Sequence, residues 1–234
     1  MKNKTYVSYW TVTFFLMTVS LVLLSWIANL YGWNSVQSLL SEEGIRWSMN
    51  HVISDYVNAP ALAIVLVMFM GVGIGVRSGF YDVWKRMFRK GKYLSGKERR
   101  ALMLSVISGL CYVLVVILSL PFMKSVTDSF YHSPFQKGFF YILSLGLGMM
   151  GIIYGYASNR FHRINQVVDG MSFLISRYAE YFVTLFFVVQ FFSILNYTCF
   201  PEWLDVDATI VDVLFQVCCY YPVFMLFLKK KVIS

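Results

Sequence analysis

Six long runs of apolar residues, separated by polar connectors, dominate the hydrophobic pattern of this chain. A helix of about 20 apolar residues is long enough to cross the hydrocarbon core of a bilayer. The predicted spans are residues 9–31, 59–81, 101–120, 138–157, 179–200 and 210–228. The pattern therefore predicts an all-α, polytopic membrane protein with about six transmembrane helices, organised as a single membrane domain over residues 1–234.

The segment 34–58, between the first two spans, has a different pattern. Charged side chains at Glu42, Glu43, Arg46 and Asp55 alternate there with large apolar residues. Because the segment is too polar to span, we expect either an amphipathic helix at the membrane surface or a re-entrant segment. The sequence leaves these two arrangements open.

Lys and Arg residues are concentrated in alternate connectors, and this distribution predicts the orientation of the chain in the membrane. Residues 85–100 read KRMFRKGKYLSGKERR and hold eight Lys or Arg against one acid, Glu98. If this basic loop is cytoplasmic, six spans place both termini in the cytoplasm, with fifteen cations on that side and three outside. Because cytoplasmic loops of membrane proteins carry an excess of Lys and Arg, we expect this orientation.

Composition narrows the class of protein further. Hydrophobic residues make up 58% of the 234 residues and charged residues only 14%, whereas a soluble domain carries about 25% charged residues. A water-soluble enzyme is therefore excluded. The net charge of +8 comes from connectors between apolar spans, so the expected anionic partner is the lipid bilayer and not nucleic acid.

Catalytic and metal-binding patterns are weak. Membrane-embedded proteases use a Glu-Glu-x-x-x-Arg run, in which a Glu activates water, with histidines on later spans. Here Glu42, Glu43 and Arg46 are spaced one residue shorter, and all three histidines fall in connectors. The four cysteines lack metal-ligand spacing and are expected to be small buried side chains. We predict no enzyme activity, no catalytic residue, no metal and no cofactor.

Small residues indicate where helices approach closely. Gly71 and Gly75 are four residues apart, as are Gly151 and Gly155. Such pairs allow close helix packing in lipid. The GVGIG run of the second span lies inside an apolar run and not at a strand-to-helix turn, so it does not indicate a nucleotide site.

Arg177 and Glu180 are three residues apart, which would place them on one face of a continuous helix. Charges inside a bilayer are costly and usually functional. The alternative is that both lie at the cytoplasmic edge of the fifth span, where the arginine reaches the headgroups and the glutamate neutralises it.

Polar residues of the fifth span form the candidate solute site, which comprises Gln190, Ser193, Asn196 and Tyr197. Gln190, Ser193 and Tyr197 have the spacing i, i+3, i+7 and share one helix face. In lipid such a face needs hydrogen-bonding partners, water or a ligand. Ordinary hydrogen bonding between helices is the alternative to solute binding.

Several longer motifs resemble one known family. The first block comprises LLSWIANLYGW (23–33), SLLSEEGIRW (38–47) and APALAIVLVMFMGVGIGVRSG (59–79). The second block comprises SPFQKG (133–138), GIIYG (151–155), Val167-Val168, Met171-Ser172, FFVVQF (186–191) and Asn196-Tyr197-Thr198. Together the blocks resemble the AbgT family, the p-aminobenzoyl-glutamate transporters. The resemblance implies a multi-spanning bacterial inner-membrane protein.

Departures from the family pattern limit what the resemblance implies. The family has a functional aspartate in a Ser-Asp-Ala-Gly-Tyr-Val motif, and Gly109 stands at the best matching position, in SGLCYV (108–113). Arg177 and Glu180 stand where the family has small residues, and Tyr197 stands where it has tryptophan. The resemblance therefore predicts a shortened member without the family's middle and C-terminal regions.

Two functions remain open at this point. The first is transport of p-aminobenzoyl-glutamate or a related small aromatic or carboxylate-bearing solute, with Gln190 and Asn196 hydrogen-bonding the solute and Tyr197 stacking on its ring. Such a short chain would form part of a site, so a homo-oligomer is expected. The second is a non-transporting accessory or assembly protein whose basic loop contacts lipid or a cytoplasmic partner.

Overall fold

The computed structural model describes residues 4–33, 36–88, 94–120 and 134–229. Regular structure within these residues is helical throughout, which confirms the predicted all-α fold. The helices are α1 (Lys4–Leu30), α2 (Glu42–Asn58), α3 (Pro60–Ser78), α4 (Phe80–Phe88), α5 (Gly96–Ser119), α6 (Pro134–Ala157), α7 (Ile164–Arg177), α8 (Ala179–Tyr197), α9 (Phe200–Trp203) and α10 (Ala208–Lys229).

Six helical segments among the described residues are long and apolar enough to cross a membrane. They are Tyr9–Leu30, Glu42–Ser78, Gly96–Ser119, Phe135–Ala157, Ala179–Tyr197 and Ala208–Met225. Their number agrees with the six spans that the apolar runs predict. The second segment differs from its prediction, because α2 and α3 follow each other with only Ala59 between them.

The basic loop predicted over residues 85–100 is partly helical. Lys85 and Arg86 lie on α4, and α5 begins at Gly96. Residues 89–93 of this loop lie outside the described residues, as do Lys230 and Lys231 of the cationic tail.

The chain divides into two compact units. The first unit comprises Met1–Ala63 and Ala179–Ser234. In this unit α8 packs against α1, α2, α9 and α10. Because apolar residues occur on every side of α8, it can be buried on several sides. Its buried residues are Tyr181, Thr184, Leu185, Val188, Val189, Gln190, Phe192 and Ile194.

The second unit comprises Ile64–Tyr178, and small residues join its helices as the sequence predicts. A side chain at Gly71 would collide with Ser144 of α6, and a Cβ on Gly151 would lie 2.9 Å from the backbone nitrogen of Gly75. Gly155 has another role, because it makes room for the ring of Phe161. Close packing between α3 and α6 is thereby confirmed.

One end of the second unit carries an ion-pair cluster. Glu98 completes the capping box of α5 with Ser95 and accepts a hydrogen bond of 3.0 Å from Arg86 on α4. Arg160 approaches the same carboxylate at 3.9 Å. Gly79, with a φ of +78°, lets the Arg160 guanidinium lie against the turn between α3 and α4, where any side chain would collide with it.

Candidate functional site

Helix α2 carries two faces of opposite character. The hydroxyl of Ser41 accepts a hydrogen bond of 3.1 Å from the Gly44 amide and so caps the start of the helix. Pro60, which has no amide hydrogen, follows its end. The exposed face is an apolar stripe at four-residue spacing, formed by Ile45 (47% exposed), Met49 (78%), Ile53 (72%) and Val57 (61%). The opposite face is polar and aromatic, and it lies against α8.

Hydrogen bonds join α2 to α8. The Gln190 side-chain amide, on α8, donates a hydrogen bond of 2.7 Å to the Val52 carbonyl of α2. The Ser193 hydroxyl donates to the Asp55 carboxylate, whose other oxygen lies 3.4 Å from the Ser54 hydroxyl. Polar side chains of α8 therefore pair with one backbone carbonyl and one carboxylate of α2.

Aromatic rings extend the same interface along both helices. Trp47 stacks between His51, with ring centroids 4.7 Å apart, and Tyr197 of α8, at 4.3 Å. About two and a half turns further along α2, the Tyr56 hydroxyl donates a hydrogen bond of 3.1 Å to the Phe182 carbonyl. Since the α2 positions rise from 47 to 56 while the α8 positions fall from 197 to 182, the two helices run antiparallel.

Three of the four predicted site residues lie together in the structure, and the fourth lies elsewhere. Gln190, Ser193 and Tyr197 lie together against α2, as their spacing predicts, and each has a partner on that helix. Asn196 is exposed and stands apart from this interface. Hydrogen bonding between helices, the alternative to solute binding, accounts for Gln190 and Ser193 in this conformation, and ring stacking accounts for Tyr197.

Sequence reasoning missed the α2 side of the site. Trp47, His51 and Asp55 occupy positions i, i+4 and i+8, so they share one helix face. That spacing was available from the sequence, but charged residues on either side of it obscured the stripe. The structure adds these three residues to the candidate site.

Other contacts of α8 hold it within the first unit. The hydroxyls of Thr184 on α8 and Thr11 on α1 lie 2.7 Å apart. The Tyr181 hydroxyl donates a hydrogen bond of 3.0 Å to the Cys219 carbonyl of α10. Together these contacts fix α8 between α1 and α10, on sides other than the one that α2 covers.

Arg177 and Glu180 do not lie on one continuous helix, which corrects the prediction. Helix α7 ends at Arg177, and Tyr178 leaves the helical conformation with φ of −116° and ψ of 28° before α8 begins. The Arg177 guanidinium lies 5.9 Å from the ring centroids of Phe173 and Tyr178. The i, i+3 geometry of an unbroken helix therefore does not apply to this pair.

Two grooves in the second unit are almost entirely apolar. One, of about 400 Å³, lies between α3 and α6 beside Ile74 and Ile152. The other, of about 230 Å³, lies between α5 and α6 beside Tyr112 and Met150. Such linings suit lipid chains better than a polar solute. None of the four predicted solute residues lines either groove.

Two chemical features remain, the possible metal ligands and one thiol with a shifted pKa. Within the described parts of the chain, no three His, Cys, Asp or Glu side chains cluster in a way that could hold a metal ion. Outside the spans, burial and then the nearby charge of Glu202 raise the pKa of the Cys199 thiol.

Comparison with known proteins places the chain in a family. The family model of the AbgT putative transporter family matches residues 9–91 and 84–217. The crystal structure of the Alcanivorax borkumensis YdaH transporter is similar, with a TM-score of 0.71 and 14% sequence identity over 83% of this chain and 72% of that one. At this identity the likeness shows a shared fold. No curated protein sequence matches the chain. The chain is therefore a member of the AbgT transporter family.

Proposed function

We propose that this multi-pass membrane protein transports a small solute across the bacterial cytoplasmic membrane, with both termini in the cytoplasm. Family membership supports a transporter role. The observation that carries the proposal within this chain is the group of polar and aromatic side chains on α8, namely Gln190, Ser193 and Tyr197. Polar groups at membrane depth mark solute pathways in many transporters.

The proposed solute is p-aminobenzoyl-glutamate or a related aromatic, carboxylate-bearing compound. The family resemblance suggests this class of solute. The site has groups that can bind a carboxylate or amide oxygen and an aromatic ring. The Gln190 amide donates hydrogen bonds that a carboxylate or amide oxygen accepts. Tyr197, already stacked on Trp47, presents an aromatic face to which a benzoyl ring could stack in its place.

Flux of radiolabelled p-aminobenzoyl-glutamate into proteoliposomes tests this proposal. The test variant is Gln190→Ala with Tyr197→Ala, and we expect it to lose most of the wild-type flux. The matched control is Gln216→Ala with Tyr220→Ala, the same two residue types on α10, and we expect it to keep the flux. Wild-type flux no higher than in empty liposomes would exclude transport of this solute by the chain alone.

An accessory role is the second candidate, because one observation favours it. Gln190, Ser193 and Tyr197 of α8 each contact α2, as expected of a static structural interface. In that case the purified chain moves no solute alone. A labelled-partner pull-down from its own membranes, combined with absent flux for a panel of aromatic carboxylates, would establish this role.

A further inference from the structure

Helix α2 covers the residues that the proposed transport function requires. Gln190, Ser193 and Tyr197 all contact α2. Gln190 is only 7% exposed and the other two are half-buried, so a solute that engages all three has to displace α2. We propose that α2 is a movable cover over this face and that Asp55 is the positioning residue that holds the cover closed through Ser193. This inference rests on the proposed function and deepens it.

The bonds that hold α2 closed are few and easily exchanged. The contacts are three hydrogen bonds, from Gln190 to Val52, from Ser193 to Asp55 and from Tyr56 to Phe182. Two ring contacts accompany them, the stack of Trp47 on Tyr197 and the edge-to-face pair of Tyr56 and Phe186. A solute with carboxylate, amide and aromatic groups offers α8 equivalent partners, so binding of the solute could replace what α2 provides. An interdigitated apolar interface could not be exchanged in this way.

The outer face of α2 allows this movement. Its exposed stripe is apolar and has a four-residue spacing, with Met49 and Ile53 as its most exposed members. In a bilayer this stripe faces fluid lipid chains, which yield to a moving helix. Displacement of α2 therefore leaves its outer face in the same environment.

The end of α2 provides a hinge. Ala59 has an extended conformation, with φ of −62° and ψ of 118°, and its amide bonds to the Tyr56 carbonyl in a tight turn. Pro60 starts α3 and has no amide hydrogen to continue the hydrogen-bond ladder of α2. The two helices are thus mechanically separate at residues 59–60, and a few backbone torsions can absorb a change in their angle.

The opposite side of α8 provides a contrast. There α1 contacts α8 through the Thr11–Thr184 pair, and also through edge-to-face rings, such as Phe14 on Phe191 at 5.7 Å and Phe15 on Phe187 at 5.5 Å. This interface is mainly apolar and interdigitated. We therefore expect α1 to stay attached to α8 while α2 moves.

A disulfide lock tests the cover directly. In a chain whose four native cysteines are replaced by alanine, Asp55→Cys with Ser193→Cys joins α2 to α8, and Thr11→Cys with Thr184→Cys joins α1 to α8. Loss of thiols to a PEG-maleimide gel shift reports how much of each pair is oxidised. We expect oxidation of the first pair to stop p-aminobenzoyl-glutamate flux and a reductant to restore it, with the second pair unaffected.

Each variant is compared with its own reduced form, so the loss of the Asp55 carboxylate itself does not confound the result. Flux through the oxidised Asp55→Cys, Ser193→Cys chain at the rate of its reduced form would overturn the proposal. Equal loss of flux in both oxidised pairs would also overturn it, because the effect would not be specific to α2.

A second measurement does not depend on transport. With Gln190→Cys as the reporter in the same cysteine-free chain, a polar maleimide labels position 190 only when α2 has moved. Asp55→Leu removes one polar contact between helices, so we expect labelling to become about three- to tenfold faster. Asp55→Asn keeps an acceptor for Ser193 and should label more slowly than Asp55→Leu.

Thr184→Cys is the control reporter, since it is buried on the α1 side of α8, and Asp55→Leu should leave its labelling unchanged. An unchanged rate at position 190 in Asp55→Leu would overturn the cover even if transport is observed. Faster labelling without any wild-type flux would support the cover and overturn the proposed solute.

Discussion

Close contact between α3 and α6 makes a sharp prediction for Gly71→Ala. A Cβ at this position would collide with the carbonyl and hydroxyl oxygens of Ser144 on α6. The same hydroxyl donates a hydrogen bond of 2.5 Å to the Val67 carbonyl on α3. The single added methyl group therefore forces the two helices apart and strains that hydrogen bond.

The expected change in the free energy of unfolding is the sum of three contributions. Overpacking of a well-filled interface costs about 1–3 kcal/mol. Loss of a hydrogen bond between helices in lipid costs about 0.6–1.7 kcal/mol. Replacement of a helical glycine by alanine returns about 0.5–1 kcal/mol through lower backbone entropy in the unfolded chain. We therefore expect Gly71→Ala to lower the free energy of unfolding by about 1–4 kcal/mol.

Gly138→Ala on α6 is the matched control, because a Cβ there meets nothing within 4 Å. Only the entropic gain applies to it, so its stability should equal or slightly exceed that of the wild type. Thermal unfolding of the detergent-purified protein, followed by intrinsic tryptophan fluorescence, measures both variants. If Gly71→Ala melted at or above the temperature of Gly138→Ala, the close approach of α3 and α6 would be refuted.

Three further predictions concern separate parts of the chain. Tyr112→Phe removes a hydrogen bond of 2.8 Å from α5 to a carbonyl of α6 and should lower stability by about 0.6–1.7 kcal/mol; an unchanged melting temperature would contradict it. Because the charge of Glu202 contributes to the raised pKa of Cys199, Glu202→Gln should increase the thiolate fraction and speed alkylation of Cys199 at pH 8. Reporter fusions should place residues 85–100 and 229–231 on the same, cytoplasmic face; opposite faces would refute the orientation.

The sequence predicts the spans well because a membrane-spanning helix has to be apolar across the whole hydrocarbon core. A run of about 20 apolar residues has few alternatives to a membrane helix, and the six candidates of the structure follow these runs. Small-residue spacing also predicts the approach of α3 to α6, where Gly71 lies against Ser144 and Gly151 against the backbone of Gly75.

Helix breaks are harder to predict than spans. The spacing of Arg177 and Glu180 suits one continuous helix, yet α7 ends between them at Tyr178. Neither glycine nor proline marks this break, and the local signals are two weak ones, the basic Arg177 in the last turn of α7 and the acidic Glu180 in the first turn of α8. At the break Tyr178 packs against Phe69, with ring centroids 5.8 Å apart, a tertiary contact that local rules do not include.

The sequence predicts the α8 side of the candidate site but not its partners on α2, for a related reason. The spacing of Gln190, Ser193 and Tyr197 places them on one face, and the structure has them there. Their partners lie 138 residues earlier in the chain for both Gln190 and Ser193. Local periodicity says which side chains share a face, but it does not say which distant helix pairs with that face.

The contacts of α2 favour one of the two arrangements left open for residues 34–58. Between Trp47 and Tyr56, α2 follows α8 for nine residues, which is about 13 Å of helix. A helix lying flat on the membrane would cross α8 at one end instead of following it. Because α8 is long and apolar enough to be a membrane span, we expect α2 to enter the bilayer beside it. Its outward apolar stripe then faces lipid, and its polar face has to be paired with α8, because unpaired polar groups are costly at that depth.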